Sequence, residues 1–131
     1  MGYINKKFNT TFTTLTTTPV LPATKLAERC YACMFENCTS LTTAPELPAT
    51  KAYIKCYYRM FDSCTSLTTV PKILPIKNVD DTCCACMFEN CTSLTTAPEL
   101  PATSLSGGAG WGCYQSMFKG CTSLNYIKCL A

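Results

Sequence analysis

Histidine is absent from the chain. Its absence removes the commonest general base and the commonest metal ligand together. Charged side chains make up only 15% of the residues, and the lysines and arginines are scattered without a basic stripe. Nucleic acid is therefore not expected as a partner. No apolar run approaches the roughly 18 residues of a membrane span, so membrane insertion is not expected. The first nine residues hold no apolar h-region, and no signal peptide is expected there. Tryptophan occurs once, at Trp111. What the chain has in quantity is cysteine, twelve in 131 residues, and repetition.

The phrase Met-Phe-x-x-Cys-Thr-Ser-Leu begins at Met34, Met60, Met87 and Met117, at steps of 26, 27 and 30 residues. A period in this range signals stacked supersecondary units within one domain. Taken from the Cys-Thr-Ser-Leu corner, the units run 12–37, 38–63, 64–90, 91–120 and a partial 121–131. Residues 1–11 read as a partial N-terminal cap, because Ile4 and Phe8 fall 26 residues before Cys30 and Met34. A second phrase, Ala-Pro-Glu-Leu-Pro-Ala-Thr, occupies 44–50 and 97–103, and its central leucine recurs as Leu21, Leu47, Leu74 and Leu100. These leucines are expected to point inward at a bend that the prolines impose.

Residues 25–36 carry apolar side chains at 26, 27, 30, 31, 34 and 35. That spacing predicts a short helix, with Thr24 as its N-cap. The residue before each corner cysteine is Asn37, Ser63, Asn90 or Gly120. Asn and Gly accept the left-handed conformation that ends a helix. The Thr-rich residues after each corner suit an extended strand. Stacking aligns Leu15, Leu41, Leu67, Leu94 and Leu124 in one ladder. The same stacking aligns Cys38, Cys64, Cys91 and Cys121 in a second, and the four methionines in a third. The fold class expected is an α/β repeat solenoid: a leucine-rich-repeat-like stack of units of about 26 residues. Each unit would hold one short strand and one short helix, and the strands would form a small parallel sheet.

These residues resemble a known family. Cys-x-x-Leu-x-x-apolar followed by Pro, then Cys-Tyr-x-x-Met-Phe-x-x-Cys, is similar to the BspA-like branch of the leucine-rich repeat proteins, over roughly residues 12 to 131. The resemblance implies an exported or cell-surface protein that serves adhesion and recognition. Related repeats in proteins of gut bacteria and their phages make a virion component the alternative. The chain departs from the pattern in lacking an export signal and an anchoring segment, and in stopping soon after its last corner. Both departures suggest a fragment.

Eight cysteines hold two repeat positions: Cys30, Cys56, Cys83 and Cys113, then Cys38, Cys64, Cys91 and Cys121. One reading is a ladder of buried thiols, since free cysteine behaves as a small apolar residue. Bridges between adjacent units are the other. Cys30/Cys33 and Cys83/Cys86 form Cys-x-x-Cys pairs, a spacing that elsewhere marks zinc or redox sites. Here the first cysteine of each pair is a ladder residue, so no metal and no cofactor are expected.

No catalytic constellation is present, and the chain is expected not to be an enzyme. The units differ most at 25–29, 51–55, 78–82 and 104–112. Tyr57, Tyr58 and Arg59 cluster beside one such segment, with Tyr114 and Gln115 at equivalent positions in the last full unit. Tyr and Arg are common binding anchors. The Gly-rich insertion at 106–112 adds Trp111 as a further contact candidate. The packing alternative is that Tyr31, Tyr57 and Tyr114 lie between helices. The function expected is a non-enzymatic recognition or adhesion module that binds a protein or glycan through one face. The alternative is a self-assembling structural unit, a homo-oligomer or head-to-tail filament or fibre segment, that uses the open ends of the stack.

Overall fold

A computed structural model describes residues 13–105 and 112–129. The expected cap at 1–11, Trp111 and most of the glycine-rich insertion lie outside the described residues. The expected α/β solenoid with one helix per repeat is not what forms: among the described residues there is no helix. Regular strand is limited to β1 (Lys51–Ala52), β2 (Asn78–Val79) and β3 (Ser104–Leu105). They pair parallel in the order β1-β2-β3, with Ala52 opposite Val79 and Val79 opposite Leu105. The sheet therefore lies just after the proline-rich phrase. It does not run through the Thr-rich corner, where pairing is confined to single bridges such as Thr43 with Thr69 and Thr96 with Tyr126.

The segments expected to be helical are chains of overlapping turns. In the first, the N–H groups of Cys30, Ala32, Met34, Glu36 and Cys38 donate to carbonyls three residues back, those of Ala27, Arg29, Tyr31, Cys33 and Phe35. An α-helix would bond four residues back. The intervening N–H groups, on Arg29, Tyr31, Cys33, Phe35 and Asn37, donate to Ile54, Cys56, Tyr58, Met60 and Asp62 of the next repeat at 2.8–3.1 Å. Every second backbone donor thus closes a local turn, and every other one ties two coils together. The pattern recurs from Lys55 to Ser63 toward the third coil and from Cys84 to Asn90 toward the fourth.

Local chemistry explains why turns form. The left-handed region holds Arg29, Cys33 and Asn37, then Lys55, Arg59 and Ser63, then Thr82, Cys86 and Asn90, then Ser116 and Gly120, at intervals of four residues. A right-handed helix admits no such residue. The apolar pairs at 26/27, 30/31 and 34/35 also repeat every four residues. On an α-helix a four-residue repeat winds about 40° further round at each step, so the stripe would leave the core. In a chain of turns, four residues complete one full unit, and the pairs stay on one side. Left-handed backbone costs an L-residue about 1–2 kcal/mol, and an inter-coil hydrogen bond returns about 1 kcal/mol net. Stacking is what makes the strained conformation stable.

The core runs through the middle of the stack. Leu41, Leu67 and Leu94 are fully buried, while Leu15 and Leu124 at its two ends are half-buried. Leu21, Leu47, Leu74 and Leu100 close the core at the proline bends. Phe35, Phe61, Phe88 and Phe118 stack with ring centroids 5.6, 5.5 and 5.8 Å apart and nearly parallel planes. Met60, Met87 and Met117 pack beside them.

Candidate recognition groove

The thiol ladders lie inside this core. No disulfide is formed among the described residues, and Cys38, Cys56, Cys64, Cys83 and Cys91 have no exposed surface. The corner thiols act as donors between coils: Cys64, Cys91 and Cys121 donate to the carbonyls of Phe35, Phe61 and Phe88 at 3.1, 3.2 and 3.0 Å. Cys56 does the same to Ala27 at 3.1 Å, and Cys113 to Val79 at 3.4 Å. Cys30, at the first coil, is half-buried. A thiol suits these positions because it is apolar in bulk yet still offers a weak donor. Burial pushes the Cys38 thiol up to about 11, and Cys64 and Cys91 further in the same direction. These groups stay protonated and unreactive at neutral pH.

On the outer side of the turn chains a groove of about 410 Å³ crosses the second, third and fourth coils. Its apolar part is Ile54, Ala85 and the ring of Tyr58. Lys55, Asp81, Thr82, Gln115 and Ser116 supply polar groups around that part, and Cys86 sits among them. The Lys55 ammonium lies 5.5 Å from the Tyr58 ring centroid, which joins charge and aromatic surface at one point. Four left-handed residues of the turn chains, Lys55, Thr82, Cys86 and Ser116, line the groove, with Ser116 exposed, Lys55 and Cys86 half-buried and Thr82 buried. Burial, followed by the hydrogen bond and charge of Glu89, pushes the Cys86 thiol up to about 11.

The sequence-derived candidates divide accordingly. Tyr58 and Gln115 meet in the groove. Tyr57 does not: it is 1% exposed and stacks on Tyr31 at 6.1 Å, so it is a core residue and not a contact. Its position belongs to an inward pair of the four-residue repeat. Tyr114 is half-buried against the core. Arg59 lies outside the groove lining and is held by acids, with its Nε 2.9 Å from Asp62 Oδ2 and its Nη2 3.0 Å from Glu36 Oε1. Asp62 is itself buried and also accepts from Ser63 Oγ at 2.9 Å, so Arg59 neutralises an interior carboxylate. Sequence reasoning passed over Lys55, Asp81, Thr82 and Ser116 as individual contacts. Lys55, Asp81 and Thr82 fall in the segments where the repeats diverge, and that divergence was the available signal.

No protein-family model matches the chain, nor does any curated protein or solved structure.

Proposed function

We propose that the chain is a non-enzymatic recognition module and that it binds a glycan through the groove around Tyr58. The observation that carries this reading is the lining itself. An aromatic ring with apolar neighbours can take the C–H face of a sugar. Lys55, Asp81, Gln115 and Ser116 can exchange hydrogen bonds with its hydroxyls. The volume lies within the range of small-ligand sites, about 300–1,000 Å³. Support for a binding rather than a catalytic role comes from the protonated state of Cys86, the one thiol in the groove. The resemblance to BspA-like surface repeats favours an extracellular or cell-surface setting, with a virion component as the other location.

A glycan array followed by calorimetry on the best hit tests the reading. Tyr58→Leu and Gln115→Ala are each expected to weaken binding at least tenfold while the far-UV spectrum is unchanged. An array that stays silent, or a hit whose affinity neither substitution changes, would overturn it.

A further inference from the structure

The groove around Tyr58 holds a cation that no carboxylate balances. Among the described residues, Arg29, Arg59, Lys119 and Lys128 each pair with an acid. Lys25, Lys51, Lys55, Lys72 and Lys77 form no ion pair, and of these Lys55 alone is half-buried, the others being exposed. Its backbone is tied on two sides. The Lys55 N–H donates to the Asp81 carbonyl of the next coil at 3.4 Å, and the Lys55 carbonyl accepts from the Tyr58 N–H at 3.3 Å. The side chain lies over the Tyr58 ring, with its ammonium 5.5 Å from the centroid. A ring face is a weaker partner for a partly desolvated ammonium than a carboxylate is. Asp81 lines the same groove, but toward Cys113: burial, and then the charges of Asp81 and Asp80, raise the Cys113 thiol.

We propose that the sugar taken by this groove is anionic, with Lys55 as the counter-ion of its carboxylate or sulfate; this rests on the glycan reading above and names the ligand class. Exchange of partners drives the preference. The Lys55 ammonium covers the aromatic face that a sugar uses. A neutral sugar has to displace it and offers only hydroxyls in return. An anionic sugar offers it a charge-assisted hydrogen bond, about twice as strong as a neutral one. Lys55 then moves from the ring to the anion, and the ring face that it leaves takes the C–H surface of the sugar. Lysine suits this exchange, because its long flexible stem moves while the tied backbone stays in place. Gln115 and Ser116 supply neutral donors that an anion also accepts. Asp81 accepts from sugar hydroxyls and repels an anion on its own side, so the ligand's charge is directed to the Lys55 end of the groove.

The test is an array of matched glycans with the full chain, followed by calorimetry on the best pair. One arm sets uronic-acid oligomers against their carboxyl-reduced counterparts, and the other sets sulfated oligomers against their desulfated counterparts. Acidic members are expected to bind about tenfold tighter than their neutral counterparts at low salt, the worth of one charge-assisted contact. The preference should shrink as salt rises. Lys55→Met should bring the two members of a pair to equal affinity, and Lys55→Arg should keep them apart, with circular dichroism checking that each variant folds. A preference confined to one arm identifies the anion that Lys55 reads. Neutral members that bind as tightly as acidic ones would overturn this proposal alone and leave the groove reading intact. A preference that persists in folded Lys55→Met would do the same. An array silent to acidic and neutral sugars alike would overturn both.

Discussion

Replacing Arg29 and Ser116 with glycine distinguishes a turn chain from a helix by the sign of the result. Both residues hold positive φ, 56° and 52°, in the first and last turn chains, and both are exposed. Glycine removes the left-handed penalty of about 1–2 kcal/mol and adds chain entropy worth about 0.5–1 kcal/mol to the unfolded state. The net expectation is a gain of about 0.5–1 kcal/mol per site. Loss of the Arg29–Glu28 pair changes little, because at 3.5 Å with both side chains about half exposed it is a screened surface contact. The two sites lie three coils apart, so their effects should add within about 0.5 kcal/mol. The double variant should then gain about 1–2 kcal/mol, with a melting rise of about 3–5 °C per kcal/mol at this size. Were these segments helical, each glycine would instead cost about 1 kcal/mol. Urea unfolding followed by fluorescence measures the difference, and far-UV circular dichroism should lack a helical minimum at both stages. Two destabilised single variants, or a helical spectrum in the parent, would refute the reasoning.

Two further expectations follow from the core. Phe61 stacks on rings at 5.6 and 5.5 Å, so Phe61→Ala should lose about 3–5 kcal/mol. Phe118→Ala, at the half-buried end with one ring neighbour, should lose about half as much, and equal losses in urea titrations would remove the stack from the account. Alkaline pH should destabilise the fold. The thiols of Cys38, Cys64 and Cys91 are raised above the ordinary value of 9.0, so their contribution is complete below about 9 and is lost as pH climbs, for Cys38 through about 11. Each such thiol steepens the decline by up to about 1.4 kcal/mol per pH unit. Urea midpoints between pH 8 and 10.5 under reductant should fall, and less steeply in Cys64→Ala; a flat profile would contradict buried protonated thiols.

The stacking direction was legible because repetition is itself a contact map. Residues one repeat apart, such as Thr43 and Thr69 or Ile73 and Glu99, do pair. Leucines at equivalent positions reach the same depth: Leu41, Leu67 and Leu94 all have no exposed surface. The local conformation was misread for a physical reason. Over a dozen residues a period of four and a period of 3.6 differ by about a third of a turn, too little for short apolar patterns to separate. The left-handed positions carry Arg, Lys, Cys, Thr and Ser as well as Asn and Gly, so the usual glycine signature of positive φ was missing. The same error carried into the site. With a helix assumed, Tyr57 and Tyr58 both stand as contacts, with packing of Tyr57 between helices as the alternative. Alternation along the turn chain puts Tyr57 in the core and Tyr58 in the groove.

The bonds between turn chains also share one direction. Among the described residues, fourteen N–H groups from Arg29 to Asn90 donate forward to the next coil, and within the turn chains none donates back. Peptide dipoles arranged in this way add along the stack, as they do along a helix. The sense is reversed, because a helix exposes its N–H groups at the N-terminus, whereas this outer wall exposes them at the fourth coil. Lys119 at that end adds to the asymmetry, while Glu28 and Glu36 at the first coil are balanced by Lys25 and Arg29. The wall of turns is therefore an electrical axis, positive toward the C-terminal coil.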